Sequence, residues 1–220
     1  MKKKPPSVLD ALHTLIKPAF ARDRFRVFVL GPALKPSESV PRPHTHASTH
    51  EAVIQHARYL RSETRKSLLS AGYSVDFGET KELQEFWSEN FRANDLGSAE
   101  MLHANKACGA IIVFPSSVGS ISELGMFVFA PSSLISEKTL AIVHKRYEKD
   151  KSFFRKALLE IFEQENGKCA FIEYANHKSC VEVAVKFVDG KYQKLLRDLH
   201  QIRNSKLKEA SYSGTIFARS

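Results

Sequence analysis

Residues 114–125 read Phe-Pro-Ser-Ser-Val-Gly-Ser-Ile-Ser-Glu-Leu-Gly, a run of small residues and hydroxyls with one carboxylate, Glu123. Small side chains let a ligand approach the backbone, and free N–H groups at a helix start suit an anion such as a phosphate. Gly119 gives such a turn its conformational freedom. Ser116, Ser117 and Ser120 supply hydroxyls, and Glu123 lies about one turn into a helix that is expected to begin at Ser120. Two readings of Glu123 stand side by side. Ser120-Ile-Ser-Glu123 has the S-x-x-E pattern of a capping box, in which the glutamate reaches back to the backbone N–H of Ser120. In the other reading Glu123 faces a cleft as a working carboxylate. In the capping reading Gly125 serves only to let the helix pack closely on the sheet.

Such a segment needs a frame to position it. Residues 110–114, Ala-Ile-Ile-Val-Phe, form a continuous apolar run of strand length, as in a strand buried on both faces. Residues 25–30 and 139–143 read the same way, 73–77 is a short second strand and 169–174 is the last. Helical spacing fills the intervals. Over residues 49–71, Val53, Ala57, Leu60, Thr64 and Leu68 make one stripe, closed by Gly72. Arg58, Arg61 and Arg65 run along a neighbouring face, which reads as solvated, with a phosphate or RNA contact as the less common use. Residues 86–106 are helical with a break near Asn94, after which Leu96, Ala99 and Leu102 face one way. Residues 152–166 form a helix stopped by Gly167. Alternating strands and helices with apolar strands predict an α/β fold: a flavodoxin- or Rossmann-like parallel sheet with helices on both faces. Ligands in such sheets bind beyond the carboxyl ends of the strands. The loops after Leu30, Phe77, Phe114 and Val143 should therefore surround the site, bringing Gly31, Pro32 and Glu79 to it.

Three features together resemble the nucleoside 2-deoxyribosyltransferase superfamily: a first strand ending in Gly31-Pro32, Asn94-Asp95-Leu96 at a helix start, and the Gly119-Ser120-x-x-Glu123-Leu-Gly125 turn. Related turns occur in SLOG nucleotide-binding proteins and lysine-decarboxylase-like phosphoribohydrolases. The resemblance spans residues 25–154. Within it the chain is similar to the deoxyribosyltransferase-like effectors of bacterial retrons, which continue into an Asp-x-Ser-Phe segment, here Asp150-Lys-Ser-Phe153. The resemblance implies a flavodoxin-like fold and an antiphage toxin that cuts the N-glycosidic bond of nucleosides, nucleotides or NAD. It implies Glu123 as nucleophile, Asp95 as an acid that holds or protonates the base, and Gly31 and Pro32 in the first ligand loop. As partner it implies a reverse transcriptase–RNA/DNA complex that restrains the toxin, and relatives of this kind act as oligomers. Where the transferases carry an Asp before the Gly-Thr of the turn, this chain has Ser116-Ser117.

N-glycosidic cleavage passes through an oxocarbenium-like state, which a carboxylate beneath the sugar stabilises or bonds to. A helix N-terminus favours keeping that carboxylate ionised. Nicotinamide leaves NAD⁺ as a neutral base without help. Adenine leaves better when protonated, which calls for a second, protonated carboxyl. Asp95 and Glu79 are the candidates, each with a bland alternative: a helix-start acid and a surface turn residue. No cofactor and no metal are expected. His44, His46 and His50 lie in or beside a proline-rich loop over 33–48, where a solvated loop is favoured over a metal site.

The 220 residues suffice for one domain with a substantial core. The sequence divides into an extension over 1–24 with a helix at 8–20, the α/β domain over 25–175, and C-terminal helices and a tail over 176–220, interrupted near Asp189-Gly190 and frayed over the last dozen residues. No apolar run reaches the roughly 20 residues of a membrane span. The basic start leads to no secretion signal. Three cysteines without C-x-x-C spacing suit a reducing cytoplasm, with Cys108 expected to be buried. The net charge of +9 favours polyanionic partners or phosphate-bearing ligands. Two functions therefore stand beside the N-glycosidase: a nucleotide-sensing module of the SLOG kind without turnover, and a component of a ribonucleoprotein assembly. The apolar residues over 179–208 pack on the domain and leave surface for an oligomer contact or a partner.

Overall fold

The computed structural model describes residues 21–34, 39–44, 46, 48–80, 83–85, 89, 96–129, 133–152 and 154–216. The helix expected over 8–20, the cap at Asn94, the acid Asp95 and Phe153 lie outside them. Five parallel strands form one sheet: β1 (Arg26–Leu30), β2 (Ser74–Asp76), β3 (Ala110–Val113), β4 (Thr139–His144) and β5 (Lys168–Ile172). Their order is β2-β1-β3-β4-β5. Val27 registers with Val75 on one side and Ala110 on the other, Ile112 with Leu140, and Ile142 with Ala170. This is the flavodoxin-like order, and the chain switches direction across the sheet between β1 and β3.

The apolar runs of β1, β3 and β4 supply both faces at once. Val27, Val29, Ala110, Ile112 and Ile142 point to one core, and Phe28, Leu30, Ile111, Val113, Ala141 and Val143 to the other. That is the period-two alternation of a pleated strand, and a fully buried Val, Leu, Ile or Phe side chain contributes about 1.5–3 kcal/mol. The first core is covered by α1 (His50–Ser70) and α6 (His177–Ile216), the second by α2 (Leu96–Lys106), α3 (Val118–Val128), α4 (Ser133–Glu137) and α5 (Glu160–Gln164).

Helix α1 matches its sequence signals. Thr49 caps it by accepting from the Ala52 N–H at 3.1 Å. Val53, Ala57, Leu60, Thr64 and Leu68 are buried along one stripe. Gly72 takes φ +88°, a left-handed turn that needs a glycine.

Several expectations are corrected. Helix α3 begins at Val118, not Ser120, and its N-cap is Ser117. Gly119 is therefore helical, and a Cβ there would meet nothing within 4 Å. On α2 the buried face is Ala99, His103 and Ala104, while Leu102 is exposed. The helix over 152–166 is a π-helical turn, Phe154–Leu159, leading into α5. Its stop is shared by two residues. Asn166 takes the left-handed φ of 64°. Gly167 lies beneath the Phe162 ring, where a Cβ would fall 2.2 Å from a ring carbon. Helix α6 runs through Asp189-Gly190 without a break and continues to Ile216, about 60 Å at the usual rise. Among the described residues no helix is long and apolar enough to cross a membrane.

Candidate active site at the sheet switch point

The residue that organises the carboxyl end of the sheet is Arg61. Sequence periodicity placed it on a solvated face; instead it is 1% exposed. Its position in α1 brings the side chain over the end of β1, where the strand's carbonyls run out of ladder partners. Nε and Nη2 donate to Val29 O at 3.1 and 3.0 Å, and Nη1 to Pro32 O at 3.0 Å and Gly31 O at 3.4 Å. The fork then closes on Glu79, Nη1 to Oε1 at 2.6 Å and Nη2 to Oε2 at 2.7 Å. The guanidinium carbon sits 4.4 Å from the Phe77 ring centroid. A bidentate fork is the arrangement for which Arg has no substitute. Gly31 is required by proximity: a Cβ would lie 3.2 Å from Arg61 Cδ and 3.3 Å from Phe114 Cβ.

This geometry changes two expected roles. The carbonyls of Gly31 and Pro32 turn inward to Arg61, so these residues build the wall of the site. Glu79 is neither a free surface residue nor a spare acid. Both its oxygens accept from Arg61, and Oε1 also accepts from the Leu34 N–H at 3.3 Å.

The Pro-Ser-Ser-Val-Gly-Ser turn follows β3 as expected, but its hydrogen bonds are internal. Ser120 Oγ accepts from the N–H groups of Ser116 at 3.1 Å and Ser117 at 3.0 Å, and Ser117 Oγ accepts from the Ser120 N–H at 3.3 Å. Ser117 and Ser120 form the capping box. The N–H groups offered to an anion at 116, 117 and 120 are thus occupied. By the same token Glu123 is released from capping, since it lies three residues beyond the box.

Glu123 and Glu100 provide the unusual electrostatics. Glu123 Oε2 is buried and has no hydrogen-bond partner among the described residues. Burial raises the Glu123 pKa to about 7, the charge of Glu100 adds to the rise, and Arg61 opposes it. Burial likewise raises Glu100 to about 7, with Glu79 adding and Arg61 opposing. Desolvation by burial is thus the largest influence on Glu123. Glu100 comes from α2, and its Oε1 would lie 3.0 Å from a Cβ on Gly78, so glycine makes room for it beside Glu79. Gly97 makes room in the same way at the start of α2, where a Cβ would lie 3.0 Å from Met126 Sδ on α3. The Glu100 charge acts on Glu123, the Glu79 charge acts on both, and Arg61 is the cation common to the two.

Arg61 and Glu79 thus close the switch point, where doubly wound sheets bind ligands, and Glu100 and Glu123 lie near enough to feel the Arg61 charge. Sequence reasoning placed Glu123, Glu79 and the serines there and missed Arg61 and Glu100. The one signal for Glu100 was a carboxylate beside Ala99 on the alanine-rich side of α2. Asp95 lies outside the described residues. Asp150 accepts from the Ser152 N–H at 3.1 Å and shapes the turn after β4. His44, His46 and His50 do not form a metal-ligand group among the described residues.

No curated protein matches the chain. A family model described as the STM3845 retron effector protein matches residues 58–217, from within α1 to the end of α6. The match takes in Arg61, Glu79, Glu100 and Glu123 and covers well over half of the 220 residues. The chain belongs to the STM3845 retron effector family.

Proposed function

We propose that this effector is an N-glycosidase that cuts the ribosyl bond of a nucleoside, nucleotide or NAD, with Glu123 as nucleophile or oxocarbenium stabiliser and Glu100 as its acid–base partner. Membership of a retron effector family supports an antiphage effector role. The observation that carries the chemistry is two raised carboxyls, Glu123 and Glu100, under the charge of the same arginine. Glu123 presents a buried oxygen without a partner, and both groups are raised to about 7. In this reading Glu123 acts as the carboxylate and Glu100 as the group that gives a proton.

The bond changes are simple. The C1′–N bond breaks and its electron pair leaves with the base, while the Glu123 carboxylate faces the cationic sugar carbon. Glu100 gives its proton to a base such as adenine. Water then adds at C1′ and returns a proton to Glu100. Nicotinamide, a neutral leaving group from NAD⁺, makes no use of that proton. Arg61 tempers the pair: without its charge the carboxyls would rise further, since it lowers both.

The test is release of free base from NAD⁺, ATP, dATP and a nucleoside panel, followed by chromatography. Wild type should release base and Glu123→Gln should not. Equal release by both proteins would refute the role of Glu123. A nucleotide sensor without turnover fits the site less well, because the N–H groups at 116, 117 and 120 that would hold its phosphate already have partners.

A further inference from the structure

On the sheet face covered by α2, away from Glu123, Asp76, His103 and Cys108 meet. One carboxylate oxygen, one imidazole nitrogen and one sulfur lie within 4.8 Å of one another. They arrive from three elements: the end of β2, the middle of α2 and the turn that enters β3. Each is held from outside. His103 Nε2 is 3.0 Å from Asp76 Oδ2, and its ring packs edge-on against Phe28, centroids 5.2 Å apart. Asp76 Oδ2 also accepts from Arg26 Nη1 at 3.0 Å. The backbone of the turn is pinned on both sides of the sulfur. Lys138 Nζ donates to Cys108 O at 2.8 Å, and the Gly109 N–H donates to Arg26 O at 2.9 Å. Gly109 itself fits under the Phe25 ring, where a Cβ would fall 2.4 Å from a ring carbon. His103 and Cys108 are nearly sealed, at 8% and 5% exposure. Asp76 and His103 also line a cavity of about 630 Å³ with Arg26, Val75, Thr80 and Leu83.

We propose that Asp76, His103 and Cys108 bind one divalent transition-metal ion, zinc by ligand type, with a fourth position open to that cavity. An imidazole, a carboxylate and a thiolate are the donors that zinc takes, at about 2.0–2.3 Å, and three protein ligands with an open fourth position is the pattern of a zinc site that exchanges water or a small ligand. The charges balance: one carboxylate and one thiolate neutralise the dication, and Arg26 stays outside as the partner of the ligating carboxylate, as outer groups around metal ligands do. The approach needed is small, since ligand atoms around a tetrahedral ion lie roughly 3.3–3.8 Å apart at those bond lengths. The thiol gives its proton to solvent as the metal–sulfur bond forms. The ion would also fasten β2, a three-residue edge strand, to α2 and β3. The site shares no residue with the carboxyl pair, so its test leaves the glycosidase reading untouched.

The experiment is a cobalt(II) titration of the full chain, stripped with chelator under reducing conditions. The expected result is a thiolate-to-cobalt charge-transfer band that saturates at one ion per chain, with about one proton released, and that added zinc abolishes. The band should vanish in Cys108→Ser and persist in Cys180→Ser, which removes another buried cysteine. A wild-type chain that shows no such band overturns the proposal without any variant. A band that survives Cys108→Ser overturns it as well.

Discussion

In the proposed reaction, the chemistry at Glu123 and Glu100 rests on protons that leave at unusually high pH. Both carboxyls are raised from 4.5 to about 7. A raised carboxyl binds more protons in the folded than in the unfolded chain between those two values, so its contribution to stability falls as pH rises through that window. Glu123→Gln removes the cost of burying that charge. It should therefore raise stability at pH 8 by about 1–3 kcal/mol relative to wild type, and change it little at pH 4. Urea unfolding at the two pH values checks this, and a variant less stable at pH 8 would show that Glu123 is held by contacts that favour its charge. The pair also fixes a kinetic signature. Adenine release needs one proton on the pair and should follow a bell-shaped pH dependence centred near 7. Nicotinamide release needs only the ionised nucleophile and should rise through the same region to a plateau. Glu100→Gln should slow adenine release by about 100-fold or more, in keeping with general acid catalysis, and nicotinamide release much less. Equal losses on both substrates would remove Glu100 from the acid role.

Arg61 shows where single-sequence reading stops. Its neighbours Arg58 and Arg65 make a charged row on α1, and a charged row is ordinarily solvated. Only the end of β1, brought against α1 by the sheet, offers the carbonyls of Val29, Gly31 and Pro32 and the carboxylate of Glu79 that make burial favourable. Glu123, by contrast, was legible, because a buried strand followed by small residues and a carboxylate is a local pattern. Its alternative role as a cap was decided by two residues of register, since the helix starts at Val118. The pairing of Glu79 with Arg61 was not legible, because that partner lies eighteen residues back in another element.

Among the elements, α1 and α6 carry the first core and α2 and α3 carry the carboxyl pair. Breaking the link between α1 and the loop after β2 should be expensive. Arg61→Met leaves Glu79 without its cation and three carbonyls without donors, and should cost about 3–5 kcal/mol in urea unfolding. Arg61→Lys keeps the charge but not the fork, and should recover only a fraction of that loss. A cost below about 1 kcal/mol for Arg61→Met would mean that the buried fork does not hold the site together. Two glycines report on helix boundaries. Gly190 lies inside continuous α6 with open space at its Cβ position, so Gly190→Ala should stabilise by about 0.5–1 kcal/mol. Destabilisation would indicate the break near Asp189-Gly190 that the sequence suggested. Gly167→Ala drives a methyl into the Phe162 ring and should destabilise by about 1–3 kcal/mol. The central strands β1, β3 and β4 were legible as elements because each is a nearly unbroken apolar run. The continuity of α6 was not, because Asp-Gly is a turn signal that a long packed helix overrides.

For the whole molecule, the strand order places the switch point between β1 and β3, and Arg61, Glu79, Glu100 and Glu123 all fall within the residues that the family model matches. The match extends through α6, beyond the residues 25–154 that carried the resemblance. The long C-terminal helix thus belongs to what defines the family and is not an appendage of this chain. The net charge of +9 gives a polyanionic partner a reason to bind. If a nucleic acid is that partner, log affinity should fall steeply and linearly with log salt. The most direct measurement is base release by the purified chain from NAD⁺, ATP, dATP and a panel of nucleosides, alone and with its retron components, beside Glu123→Gln. Free nicotinamide or nucleobase from wild type and none from the variant is the expected result. No base from any substrate under either condition, or equal release from both proteins, would contradict the glycosidase at the switch point.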